Sequence, residues 1–271
     1  MKQLVILLLS ITTLLNATFA QDTTYRSPYK TSWKDAAITV GGIGLTALGV
    51  KLINDKQPLT DAELKARETQ DVFFLDRSSR GFYDKDMDDA SYIPFQASFA
   101  MPVLMALINK NERKHIGQVL LMYTETMAIT GALFTMATGN VYRSRPYVYN
   151  TSLDPEFRKD KNSQRAFYAG HTAATAAATF YMAKVFADFN PTSKAKPYVW
   201  GVAAAVPALV GYMRYKAGMH FLSDNLLGYA MGAAAGVLVP KFHKIKGMQN
   251  VTVLPYGNTN QKGLSLVYTI R

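Results

Sequence analysis

The sequence predicts an all-α helical bundle with a short extended tail, and three observations carry that prediction. Charge-free apolar stretches recur at 36–50, 90–109, 126–142, 197–213 and 225–240, each longer than an ordinary strand. Glycine and alanine crowd two of them ("GGIGLTALG", "GYAMGAAAGVLV") and alanine crowds the segment "HTAATAAATF", which lets helices approach closely. Strand-like alternation is confined to the last residues, "NVTVLPYGNTNQKGLSLVYTIR", which read as two strands around a turn at 257–263.

The elements follow in order. Residues 1–20, "MKQLVILLLSITTLLNATFA", hold one lysine, a short apolar run and small residues before Gln21, the outline of a secretory signal peptide, with an uncleaved N-terminal anchor as the alternative. Residues 21–89 form a polar lead, a helix at about 35–53, and a charged segment in which Thr60 and Glu63 stand at capping-box spacing before one short surface helix. The core runs over 90–240. It has helices at about 90–109 and 114–138, then a polar loop at 139–164 where proline, asparagine and charge deny a regular element. Three more helices follow at about 170–186, 198–212 and 221–239, and residues 241–271 form the basic, extended tail. Glu125 interrupts the second core helix and reads as a hydrogen-bonded structural carboxylate.

A chain of 271 residues builds one core of ordinary size, and nothing in its length demands a second domain. With no cysteine there is no disulfide framework, thiolate metal site or cysteine nucleophile. A net charge of +11 favours anionic partners such as acidic lipid headgroups or a phosphorylated substrate, and export argues against nucleic acid. Charged residues make up 18 %, as in a soluble protein, yet the apolar stretches suit core helices and membrane helices alike. The sequence leaves both environments open.

Three polar islands sit where apolar helices begin or stop: "RSRP" at 143–146, "YAGHT" at 168–172 and "MRYKAGMHFLSD" at 213–224. Arg145 and Arg214 offer planar forks of donors matched to phosphate oxygens. Gly170, opening a helix, leaves backbone N–H groups accessible to the same anion. His220 and Asp224 are four apart, so on a helix they share a face, where the carboxylate would fix the ring tautomer and activate the other nitrogen as a nucleophile. His171 suits protonation of a departing alkoxide. His115 and His243 lie among lysines ("KNERKH", "KFHKIK") and read as solvated surface.

These islands resemble the signature of the type 2 phosphatidic acid phosphatases (PAP2), K-x6-R-P, P-S-G-H and S-R-x5-H-x3-D. That family shares a helical fold with bacterial nonspecific acid phosphatases and vanadium haloperoxidases. Arg145 and Pro146, Gly170 and His171, and Arg214, His220 and Asp224 match in order and spacing. Thr138 stands at the lysine position, Tyr168 and Ala169 at the proline and serine, and Met213 at the last serine.

The resemblance implies a PAP2-type bundle and a phosphatase that needs neither metal nor cofactor, acting on a phosphomonoester or pyrophosphate, of a lipid by expectation. It implies that His220 forms a phosphohistidine, Asp224 orients it, and His171 serves as acid and then base. Arg145, Arg214 and Gly170 would bind the phosphoryl group, with Arg143, Arg165 and Lys216 as substitutes for the missing lysine. The expected setting is periplasmic or on the extracytoplasmic face of a bacterial membrane, in association with that membrane. Two other readings of the same fold stand beside it: a noncatalytic phospholipid-binding or envelope protein, and a vanadate-dependent haloperoxidase.

Overall fold

The computed structural model describes residues 26–245 and two strands, Val251–Gly257 and Lys262–Tyr268. The signal-like segment 1–20 and the tip of the tail turn lie outside the described residues. Among the described residues, seven helices of eight residues or more build the body: α1 Trp33–Asn54, α2 Asp61–Thr69, α3 Lys85–Ile108, α4 Ile116–Asn140, α5 Gly170–Phe189, α6 Lys196–Lys216 and α7 Leu222–His243. The tail is an antiparallel hairpin in which Val251 pairs with Tyr268 and Gly257 with Lys262. The all-α bundle with an extended tail is therefore present.

Local sequence explains the helix starts. The Thr60 hydroxyl accepts from the Glu63 N–H at 3.3 Å while a Glu63 carboxylate oxygen accepts from the Thr60 N–H at 2.8 Å, closing the capping box at the head of α2. Asp84 caps α3 by accepting from the Met87 N–H at 2.9 Å. Pro94 and Pro102 in α3, Pro207 in α6 and Pro240 in α7 sit inside helices, a pattern tolerated where neighbouring helices re-satisfy the backbone.

Helix α5 is the axis of the bundle, packed by α3, α4, α6 and α7. Its contact with α7 is backbone to backbone. Gly228, Gly232 and Gly236 lie one turn apart on α7, and a Cβ added to them would stand 2.5, 2.0 and 2.6 Å from the carbonyl oxygens of Ala169, Ala173 and Ala177. Small residues thus let the two helices meet along a seam that ends at the second island. Gly232→Ala is expected to destabilise the protein by roughly 1–3 kcal/mol through overpacking. Gly41→Ala meets open space and should be neutral or slightly stabilising. Thermal unfolding of the two variants in detergent makes the comparison.

A second small-residue seam holds α1 on α4. A Cβ on Gly42 would lie 3.1 Å from Ala128, and one on Gly49 would lie 2.4 Å from the Thr135 hydroxyl. On the other side of these helices apolar side chains face outward.

Four helices, α1, α3, α4 and α7, are long and apolar enough to cross a membrane. Ile93, Ile108, Tyr198 and Phe242 are each more than 70 % exposed. Outward apolar faces on long helices are suited to contact with lipid. The near-zero mean hydropathy had concealed this by averaging apolar faces with polar loops.

Two sequence expectations are corrected. His115 and His243 are buried, at 6 % and 9 % exposure. On α7 the neighbours of His243, Lys241 and Phe242, are exposed while the histidine turns inward, because successive helical residues point about 100° apart.

Candidate active site

The third island folds as a helix end and a tight turn. Arg214 belongs to the last turn of α6, and the chain reverses at Gly218, whose φ of +70° and approach to the Phe82 carbonyl admit no side chain. That turn delivers His220 into the interior at 3 % exposure. Its Nδ1 lies 2.8 Å from the Ala166 carbonyl oxygen. A carbonyl only accepts, so Nδ1 carries the proton and Nε2 keeps a free lone pair. Burial, followed by the charges of Arg145 and Arg214, holds the imidazole pKa well below its ordinary value.

The expected pairing of His220 with Asp224 is replaced by another arrangement. His220 precedes α7 and does not lie on it, so helical i, i+4 geometry does not apply. One Asp224 oxygen accepts from the Phe221 N–H at 3.0 Å and the other from Arg143 at 2.7 Å. The Asp224 carbonyl accepts from the Ala169 N–H at 3.1 Å. Asp224 therefore caps α7 and ties it to the head of α5, while the Ala166 carbonyl orients the histidine.

Arg145 and Arg214 come together beside the two histidines. Arg214 is 2 % exposed and is held by Asp88 and, at 3.2 Å, by the Ser91 hydroxyl. Arg145 approaches the Met219 sulfur at 2.9 Å. The Nε–H of each guanidinium is buried without a hydrogen-bond partner. Burial, with Arg214 adding to it, brings the Arg145 pKa down to about 10, so the group stays cationic at neutral pH. Two adjacent cations with unmet donors define an anion site.

His171 opens α5, outside the four helices that are both long and apolar enough to span. Its ring packs against Tyr92 and Phe95, with centroids 5.1 and 4.3 Å away. Burial, then Arg214 and Arg145, pull its pKa down to about 3. At Gly170 an added Cβ would lie 2.5 Å from the Phe134 ring, so glycine is required where the helix start meets that ring. The N–H groups of this first turn have no intrahelical acceptor.

The three substitutes for the motif lysine part company. Arg143 is engaged by Asp76 at 2.5 Å, Asp224 at 2.7 Å and the Ser223 hydroxyl at 3.0 Å, so it serves the scaffold. Lys216 lies over the Phe82 ring at 5.3 Å. Arg165 donates to the Ile53 carbonyl at 3.2 Å, keeps a buried, unpartnered Nε–H, and its charge acts on Arg145. It is the one of the three coupled to the cradle. Thr138, at the lysine position, donates to the Phe167 carbonyl at 2.8 Å.

Sequence reasoning missed Asp88, Tyr92 and Phe95, which hold Arg214 and His171, and Lys56. Buried at 2 % exposure, Lys56 donates to the Val141 and Gln164 carbonyls at 2.8 and 3.0 Å and pins the first island to the end of α1. Burial and Arg165 lower its pKa to about 8.

Fold and site define a helical-bundle protein with a buried cationic cradle and two neutral histidines at one end. Residues 118–247 match the model of the PAP2 superfamily. A solved structure, described as the first transmembrane PAP2 type phosphatidylglycerolphosphate phosphatase from Bacillus subtilis, aligns over 78 % of this chain and 96 % of its own, with 18 % identity and a TM-score of 0.41. A search of the curated proteins found no match.

Proposed function

We propose that the protein is a metal-independent phosphatase that hydrolyses a phosphomonoester or pyrophosphate, of a lipid, through a phosphohistidine on the extracytoplasmic side of a membrane. The observation that carries this reading is the pair of buried guanidinium N–H groups without partners beside a histidine whose tautomer leaves Nε2 free. A phosphoryl group supplies the oxygens those donors lack and the electrophile that lone pair needs. The superfamily match and the apolar belt around the site support the phosphatase class and the lipid substrate.

Two displacements compose the reaction. His220 Nε2 attacks phosphorus, an N–P bond forms as the bond to the leaving oxygen breaks, and the leaving oxygen takes the electron pair and a proton from His171. Water then attacks the phosphohistidine as His171 takes its proton, and the N–P electron pair returns to His220. Arg145, Arg214 and the head of α5 hold the equatorial oxygens, where charge develops in each transition state. Asp224 positions the site by fastening α7 to α5.

The test is phosphate release in EDTA from phosphatidic acid, an isoprenoid pyrophosphate, a lipid A phosphate and a soluble aryl phosphate, with and without vanadate. Release from the lipids that vanadate blocks is the expected result. Hydrolysis that stops when EDTA is added, at a temperature where the protein stays folded, overturns metal independence. No release from any substrate transfers the reading to a noncatalytic phospholipid-binding protein, and halide oxidation with vanadate and peroxide transfers it to a haloperoxidase.

A further inference from the structure

A second polar cluster lies at the opposite end of α7, which rises ~33 Å over its 22 residues from the neighbourhood of His220 to His243. His243 Nε2 is 3.1 Å from a Glu125 oxygen on α4 and 3.3 Å from an Asp35 oxygen on α1. Its Nδ1 is 2.9 Å from the Val239 carbonyl oxygen and so donates to it. With Nδ1 so engaged, Nε2 faces the two carboxylates and carries a proton or a lone pair according to what lies between them.

With Nε2 unprotonated, three acceptors face one another. The Glu125 oxygen nearest the ring and His243 Nε2 are both buried with no hydrogen-bond partner, and Glu125 is 3 % exposed. Their 3.1 Å approach does not align as a hydrogen bond. Glu125 is thus a buried carboxylate paired with His243, and its oxygen nearest the ring has no aligned donor. Buried acceptors pointed at a common centre are offset by a cation there, either a proton on Nε2 or a metal ion.

We infer that Asp35, Glu125 and His243 bind a divalent transition-metal ion, zinc in the first place. Zn–N and Zn–O bonds of roughly 2.0–2.2 Å in a tetrahedron put donor atoms about 3.4 Å apart. The separations of 3.1 and 3.3 Å match that edge. One imidazole with two carboxylates is a borderline donor set that favours zinc over magnesium.

The supports outside the ligands are those of a metal site. The Val239 carbonyl fixes the histidine tautomer, and the second Asp35 oxygen accepts from the Ser32 N–H. All three ligands line a cavity of about 890 Å³ that provides an entry path. Lys30 and Lys244 line it too, and Lys244 is tied to Asp188 at 2.6 Å. Asp35 continues the seam of Gly42 and Gly49 at seven-residue spacing, so the ion would clamp α1 onto α4 and α7 far from the phosphoryl site.

The test uses the full chain purified in detergent, its affinity tag removed, stripped with EDTA, dialysed and titrated with zinc chloride. The expected result is one zinc per chain by elemental analysis and a rise in Tm that magnesium at the same concentration does not produce. Asp35→Asn, Glu125→Gln and His243→Gln should each weaken zinc binding at least about tenfold. Asp35 is partly exposed, so Asp35→Asn keeps the test open if the buried variants fail to fold. A wild type that holds no zinc, or binding unchanged by Asp35→Asn, overturns the inference, and a Tm that responds to pH but not to zinc assigns the centre to a proton. Phosphate release well below Tm should not change on stripping, so this inference and the phosphatase reading fail separately.

Discussion

Replacing His220 with alanine is expected to abolish phosphate release, by a factor on the order of 10⁴–10⁶, as for other members of an interdependent catalytic set. The size of the loss follows from its place in the proposed path, in which both chemical steps make or break a bond to Nε2. The Ala166 carbonyl fixes Nδ1–H, which leaves Nε2 as the lone pair of His220. Binding should outlast chemistry, since both arginines keep their supports from Asp88, Ser91 and Met219. The variant is therefore expected to retain vanadate or phosphate affinity within about tenfold while losing turnover, and the wild type alone should trap an acid-labile phosphoryl group. A variant that keeps more than a tenth of wild-type turnover sinks the phosphohistidine route.

Local spacing made part of this site legible. Arg214, His220, Gly170, His171 and Arg145 stand at helix ends, where an apolar pattern stops for a polar residue, and a linear sequence displays that directly. Asp224 was placed on the right helix and given the wrong partner, because the turn at Gly218 removes His220 from that helix. The supports were hidden by distance along the chain. Asp88 meets Arg214 across 126 residues and Ala166 meets His220 across 54, and the sequence carries no code for either pairing. The Asp35, Glu125 and His243 cluster escaped for a further reason. Lysines around His243 suggested solvent, yet helical rotation buries the ring among three helices. Helix existence was legible from length and composition, while membrane character depended on which faces point outward.

Replacing His171 with alanine is expected to slow a lipid phosphate by about 10²–10⁴-fold and an activated aryl phosphate far less, because only a poor leaving group needs a proton as its bond to phosphorus breaks. The pH profile follows from the same residue. With its pKa near 3 in the free site, His171 is neutral at pH 5–8 and has no proton to give. The proton must arrive with the substrate, whose last phosphate proton has a pKa of about 6. Binding the substrate's negative charge offsets Arg214 and Arg145, the two cations that depress the imidazole, so the proton can pass from phosphate to His171 and on to the leaving oxygen. Below pH 6 the arriving monoanion carries that proton; above it the dianion does not, and kcat/KM should fall as pH rises through about 6. His220 imposes no acidic limb there, because burial and the same arginines keep it neutral well below its ordinary pKa. Steady-state rates on a lipid phosphate and an aryl phosphate across pH 4–8, for wild type and His171→Ala, read both effects. Equal losses on the two substrates would remove His171 from the role of acid, and a kcat/KM that rises through pH 6 would remove the substrate-borne proton.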